Sequence, residues 1–247
     1  MFKFTSSPWG FRFYDFEKYC RVMKQLGITD ICATFGDPKQ LPLAFRSEKK
    51  EIEKAHEIAN NLGVNFVEIA LTQNYKEEIP LASLLGVRYL RVCENWEESE
   101  ESFKKVTNML KEVGNIAGDF NLIVVVENHG GLMKTGKMCR EIFEKVDMEN
   151  VKLNYDPANF LYFGEDPIDA LDDVLNLVEF THFKSVKYEN GKPKYCRLKE
   201  GVIDYRKLFD KLLTNYKGYI GLEYEEPNDV EEGTIDDLNY IKDILKS

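Results

Sequence analysis

Histidine is scarce in this chain. Only His56, His129 and His182 occur among 247 residues, so a site built from many imidazoles is excluded. Cysteine is sparse too: Cys20, Cys32, Cys93, Cys139 and Cys196 are an odd number without C-x-x-C spacing. That argues against a disulfide framework or a thiolate zinc site and leaves core or surface thiols. No apolar run is long enough to span a bilayer. The opening MFKFTSSPWGF lacks a basic start, a long apolar stretch and a small-residue cleavage pattern. No membrane partner and a cytoplasmic location are therefore expected. Positive charge is in deficit, with 33 Lys and Arg against 43 Asp and Glu and a formal net charge of -10. A nucleic-acid partner is disfavoured, because affinity for a phosphate backbone rests on Lys and Arg neutralising it. The surplus carboxylates are expected on solvated helix faces. The 8 prolines and 16 glycines are scattered, so nothing reads as linker or low-complexity tract, and residues 1–247 are expected to form a single domain.

What the chain does have is alternation. FKFTSSPW, ITDICATF, VNFVEIAL and VRYLRV read as four strands, and LIVVVE, VKLNYDPANF, EFTHFKSV and YIGLEY as four more. Helix-period segments lie between them, with start signals at Asp15, Ser99, Asp166 before Pro167, and Asp204, and stops at Gly27 and Gly86. A short helix is expected around 80–85 and a closing one over TIDDLNYIKDILKS. Strands separated by helices force a parallel sheet, since a parallel neighbour is reached only through a crossover. Eight such units in a chain of this length specify an α/β fold of the (β/α)8 TIM-barrel type. No G-x-G-x-x-G follows the first strand, which argues against a dinucleotide-binding doubly wound sheet.

In a parallel barrel every strand ends at one rim, so the last inward-pointing residues face a common point. Four late strands end on metal-capable side chains: Glu127, Asp156, His182 and Glu223. Parity sets Glu127 above Val125 and Ile123, Asp156 on the face of Asn154, and His182 on the face of Phe180. It sets Glu223 above Gly221, where the missing side chain is expected to leave space in the lumen. Singly, each reads as an ordinary rim or turn residue; their matching positions on successive strands point to a metal centre. Three carboxylates and one imidazole suit Mn²⁺ or Mg²⁺, with Co²⁺ or Zn²⁺ as alternatives. About one net negative charge would remain around a divalent ion, so vicinal sugar oxygens could be chelated without an anionic group. The same parity brings Glu68 near Arg91, expected as a supporting ion pair because a buried charge needs a partner.

VVVENHGG, NYDPANF, THFKSV with the later EGVIDY, and GLEYE resemble, in order and spacing, the sugar isomerase/epimerase barrels related to xylose isomerase. The resemblance covers essentially the whole chain and is strongest over 122–226. It implies that Glu127, Asp156, His182 and Glu223 bind one divalent metal, commonly Mn²⁺, and that Glu127 and Glu223 also move protons. A hydroxyketone chelated through its carbonyl and adjacent hydroxyl has a more acidic carbon-bound proton, because the metal stabilises the enediolate. Glutamates on two sides could then remove a proton on one face and return one on the other. His129 and Lys184 match frequent family positions as substrate contacts, Asn159 is expected to be a third, and Trp9 is a candidate pocket wall. Asn159 stands where many members carry histidine, Ser185 where the H-x-K-D signature has aspartate, and Tyr188 where ketose epimerases keep arginine.

The expected activity is a metal-dependent isomerase or epimerase of a sugar or related keto-polyol. The alternative is a dehydratase of a keto-polyol such as an inosose or dehydroshikimate, which uses the same metal and base but expels a β-hydroxyl. A non-catalytic barrel is a third reading, because fold does not fix function. The family's multi-histidine endonuclease branch is excluded by the histidine count. An uncharged substrate is preferred, since no Gly-rich phosphate loop follows the seventh or eighth strand, although Lys184, Lys187 and Arg197 leave a phosphorylated one open. Barrels of this kind often pair, so a homo-oligomer is compatible with the sequence.

Overall fold

A computed structural model describes residues 2–246. Eight parallel strands form one sheet: β1 (Lys3–Ser6), β2 (Asp30–Thr34), β3 (Asn65–Ala70), β4 (Tyr89–Val92), β5 (Ile123–Glu127), β6 (Val151–Tyr155), β7 (Val178–Phe183) and, after a hairpin of β8 (Ser185–Glu189) and β9 (Lys192–Cys196), β10 (Tyr219–Leu222). Their order is β1, β10, β7, β6, β5, β4, β3, β2. Thr5 Oγ1 lies 3.3 Å from Cys32 Sγ across the seam between β1 and β2, bringing the two ends of the sheet together as a nearly closed barrel.

The outer layer is α1 (Phe16–Gln25), α2 (Lys49–Leu62), α3 (Tyr75–Leu84), α4 (Glu100–Asp119), α5 (Gly136–Val146), α6 (Pro157–Tyr162), α7 (Pro167–Val174), α8 (Tyr205–Leu212) and α9 (Val230–Ile244). The expected caps form: Asp15 accepts from Lys18 N, Ser99 from Ser102 N, and Asp166 from Ile168 N and Asp169 N ahead of Pro167. Gly27 takes φ +74° after α1, as a helix stop requires. No helix among the described residues is long and apolar enough to cross a membrane.

Four details differ from expectation. α3 starts at Tyr75, so Pro80 lies inside it. The buried carboxylate of Glu78 accepts from Thr72 N at 2.7 Å, Thr72 Oγ1 at 2.6 Å and Ser47 Oγ at 3.1 Å, fastening the preceding loop to the helix. α9 starts four residues earlier than TIDDL suggests. The run after Asp156 is the short helix α6 rather than extended chain. The β8–β9 hairpin was not anticipated; it turns on Asn190 (φ +53°) and Gly191 (φ +76°), the left-handed pair that a two-residue hairpin loop needs.

Two apolar regions result. The larger lies between barrel and helices and contains Val124, Val126, Leu153 and Ile220. The smaller fills the lumen with Cys32, Val67, Tyr89, Val125 and Phe180, against Ile123 and Tyr219. The parity assigned to β5 and to Phe180 therefore holds. β3 is irregular: Ile31 pairs with Phe66 but Cys32 with Glu68, so Val67 is an extra residue and both it and Glu68 reach the lumen. Gly221 corrects an expectation. It leaves no void, because a Cβ there would lie 2.1 Å from Thr181 O and 3.1 Å from His182 Cδ2. The glycine lets β10 close on β7.

Candidate metal centre

Above the lumen's apolar plug the lining becomes charged. Glu127 ends β5 and His182 is the penultimate residue of β7, while Asp156 and Glu223 directly follow β6 and β10. All four are buried. Oxygens of Glu127 and Glu223 and a nitrogen of His182 lie within 4.8 Å of one another, close enough to share one ion. His182 Nδ1 is 3.4 Å from both Glu127 Oε2 and Glu223 Oε1.

Asp156 stands outside this trio, across Lys184, whose Nζ lies 3.1 Å from Asp156 Oδ2 and 2.9 Å from Glu223 Oε2. Its Oδ1 accepts from Ala158 N at 2.9 Å and Asn159 N at 3.1 Å at the start of α6, which fixes the carboxylate. Asn128 locks the backbone beneath it, donating to Asp156 O and accepting from Asp156 N, both at 2.8 Å. Asp156 Oδ2 is left buried with no hydrogen-bond donor in proper geometry, although Lys184 Nζ lies 3.1 Å away. Two glutamates and an imidazole that converge within 4.8 Å are a donor set that fits a hard divalent cation, with the Asp156 carboxylate nearby as a fourth candidate.

Two cations hold the carboxylates in place. Arg91 on β4 reaches Glu68 Oε1 at 3.1 Å and Glu127 Oε2 at 2.8 Å. The expected Glu68–Arg91 pair is present, and it extends to a candidate ligand. Lys184 Nζ lies 2.9 Å from Glu223 Oε2 and 2.7 Å from Glu225 Oε1. Burial by itself would raise Glu127, but Arg91 and the His182 contact hold it well below the ordinary carboxylate range. Glu223 is likewise lowered against its burial by Lys184 and His182. Burial dominates at Asp156, raised to about 7 despite Lys184. The surrounding carboxylates raise His182 and Lys184 against burial.

A cavity of about 380 Å³ opens above these groups. Glu127, Glu223, Glu225, Arg91, Lys184 and His129 form its polar side, and Pro8, Trp9, Leu41, Leu43 and Leu71 its apolar side. His129, Lys184 and Trp9 thus stand at the cavity wall. Asn159 does not. It is buried off the cavity lining, and its Nδ2 donates to Glu127 Oε1 at 3.2 Å. Lys187 and Arg197 also lie off the cavity; Lys187 faces Glu189 at 3.4 Å, and Arg197 pairs with Asp229 at 3.0 Å and Asp236 at 2.8 Å.

Residues 45–244 match the xylose isomerase-like TIM barrel family. The chain belongs to that family. Among curated relatives, an inosose dehydratase of Clostridium tetani is 28% identical over 145 residues, covering 52% of this chain and 49% of the relative. The chain thus spans about half the length of the curated relatives it matches. Among solved structures, the IOLI protein with a bound zinc atom superposes with a TM-score of 0.80 at 16% identity, covering 98% of each chain. A probable 3-DHS dehydratase, AsbF of Bacillus anthracis, gives 0.78 at 15% identity, covering 97% of this chain and 98% of that one. At these identities the structural likeness shows the fold.

Sequence reasoning passed over Glu225, Asn128 and the Glu127 contact of Arg91. Glu225 had a readable signal, since in GLEYE it stands two residues beyond Glu223. Asn128 had none. Tyr195, which lines the cavity with its ring 5.6 Å from Lys184 Nζ, comes from the unanticipated hairpin.

Proposed function

We propose that this chain is a divalent-metal-dependent lyase that eliminates water from an uncharged keto-polyol of the inosose kind. The observation that carries the proposal is the placing of two ionised glutamates beside a fixed ammonium at one cavity wall. Glu127 and Glu223 are both held in the charged form, so either is a base for the proton on the carbon next to a ketone. As that proton leaves, its electron pair becomes the new double bond and the carbon–oxygen bond at the next carbon breaks. The departing hydroxyl needs a proton to leave as water. The Glu225–Lys184 pair, 2.7 Å apart, is placed to supply it: burial raises the Glu225 carboxyl toward holding a proton, and the ammonium donates a hydrogen bond to the departing oxygen. A divalent ion held by Glu127, Asp156, His182 and Glu223 would polarise the ketone oxygen as a Lewis acid.

The curated relatives support this reading over the isomerase or epimerase that the sequence first suggested, because those named are inosose dehydratases. Charge supports an uncharged substrate. The cations facing the cavity, Arg91 and Lys184, are already shared among Glu68, Glu127, Asp156, Glu223 and Glu225. A phosphate or carboxylate would have to compete for them. Epimerisation remains the second reading, favoured by the fact that both glutamates are ionised on different strands. Incubation with inososes and ketoses plus Mn²⁺, read by mass spectrometry, separates the two. Loss of one water supports the lyase; an isobaric product refutes it in favour of the isomerase. Glu127→Gln should abolish either activity together with metal retention, and indifference to it would leave a non-catalytic barrel.

A further inference from the structure

His182 presents two nitrogens to two different surroundings. Nδ1 faces upward, 3.4 Å from oxygens of Glu127 and Glu223 and 3.2 Å from Asn154 Nδ2. Nε2 is buried with no hydrogen-bond partner. Glu68 Oε2 is also wholly buried with no partner in hydrogen-bond geometry, while the other oxygen of that carboxylate holds Arg91 and the Cys32 thiol faces the group. Glu68, Cys32 and His182 offer an oxygen, a sulfur and a nitrogen within 4.8 Å of one another. The extra residue Val67 creates this meeting, by bringing Glu68 into register with Cys32 on one side and Tyr89 on the other.

The orientation of Asn154 decides which nitrogen carries the proton. Its Nδ2 also lies 3.4 Å from Glu127 Oε2 as a donor, and turning the amide over would set its oxygen against a carboxylate. Asn154 therefore points N–H at His182 Nδ1, and a neutral imidazole must then offer a lone pair there and carry its hydrogen on Nε2. A buried N–H needs an acceptor. The Glu68 oxygen that lacks a donor lies in the same small group.

We infer that Glu68 is a positioning residue: it accepts the Nε2–H of His182, fixes the tautomer that turns Nδ1 toward the metal centre, and is itself aimed by Arg91. Arg91 thereby orients two of the four proposed ligands, Glu127 directly and His182 through Glu68. Partners of this kind set ring orientation and raise ligand basicity, and their loss typically weakens metal binding by 10–100-fold. The inference rests on the reading of His182 as a ligand, and its test separates the two.

With only three histidines in the chain, ¹⁵N spectra of the metal-free protein resolve the His182 tautomer at a pH alkaline enough to remove imidazolium. The Nε2–H form is expected in the wild type and a growing Nδ1–H fraction in Glu68→Leu, with Zn²⁺ affinity about 10–100-fold weaker by calorimetry. Glu68→Gln, with one acceptor oxygen for two donors, should fall between, and it serves if the unpaired Arg91 prevents Glu68→Leu from folding. A wild-type Nδ1–H tautomer, or a variant unchanged in both tautomer and affinity, overturns the inference. If neither protein binds Zn²⁺ while the tautomer shifts as expected, the positioning role stands and the metal reading falls.

Discussion

Lys184→Met should strengthen metal binding and weaken turnover, an opposition of signs that few single substitutions produce. The ammonium is buried against Asp156, Glu223 and Glu225 at 3.1, 2.9 and 2.7 Å, so it already neutralises two of the oxygens that a metal would use. A unit charge about 5 Å from a divalent ion costs roughly 6–7 kcal/mol at an effective dielectric constant near 20. Glu225 gives the ammonium somewhere to withdraw, and solvent at the cavity mouth screens part of the remainder. Halving the repulsion leaves about 3 kcal/mol, or roughly a hundredfold in Kd. Titration calorimetry with Mn²⁺ or Zn²⁺ at constant pH measures this directly. Turnover should fall in the same variant, because methionine can donate neither to a leaving hydroxyl nor to a substrate oxygen. Unchanged or weaker metal affinity would refute the reasoning and make Lys184 part of the scaffold that assembles the ligands.

Metal should also stabilise the fold. At a free concentration a hundred times Kd the gain is about 2.7 kcal/mol, which for a domain of this size raises Tm by about 5–10 °C, and a chelator should reverse it. Asp237 on α9 is buried, accepts from Leu198 N at 2.7 Å and has one oxygen without a partner. Burial outweighs that bond and raises its pKa to about 7. The folded state therefore holds a proton that the unfolded chain releases near pH 4, so stability is lost as pH rises from about 4 to 7. Asp237→Asn should gain nothing near pH 4 and roughly 2–4 kcal/mol near pH 8, read from paired thermal melts; a gain independent of pH would exclude linkage as the cause. Gly221→Ala should cost about 2–3 kcal/mol and weaken metal binding, since its Cβ would meet Thr181 O at 2.1 Å and press on His182. Wild-type stability in that variant would mean the β7–β10 contact relaxes without cost.

Much of this was legible because barrel geometry turns sequence period into position. Once β5 is a strand ending at Glu127, the inward placing of Val125 and the outward placing of Val124 and Val126 follow from alternation alone. The same step rule predicts Glu68 beside Arg91, and applied once more to GLEYE it reaches Glu225. It fails where a strand carries an extra residue. Val67 and Glu68 both face the lumen, which no strict alternation allows, and the reason lies in the pairing of β3 with β2 rather than in any residue of β3. The β8–β9 hairpin had its signal in Asn190-Gly191 but broke the expected order of strand then helix, and with it went Tyr195. Asn159 was misplaced for a related reason: Asp156 starts a helix, so the third residue beyond it turns back under Glu127 instead of forward to the cavity.

The reaction was harder to read than the site, and the charges explain why. The site gathers Glu68, Glu127, Asp156, Glu223 and Glu225 with Arg91 and Lys184, and a divalent ion would leave the set with one net negative charge. Such a set favours loss of a proton beside a ketone whatever happens next. Epimerisation and elimination diverge only afterwards, according to whether a proton donor lies nearer the carbon just deprotonated or the oxygen one carbon farther along. That choice depends on where Lys184 and Glu225 sit relative to Glu127 and Glu223. Lys184 bridges Glu223 and Glu225 after β10 and Asp156 after β6, whereas Glu127 is held from the β4 side by Arg91. A base at Glu127 with a proton donor at Lys184 and Glu225 would suit removal of a proton at one carbon and protonation of an oxygen at the next, as the proposed elimination requires.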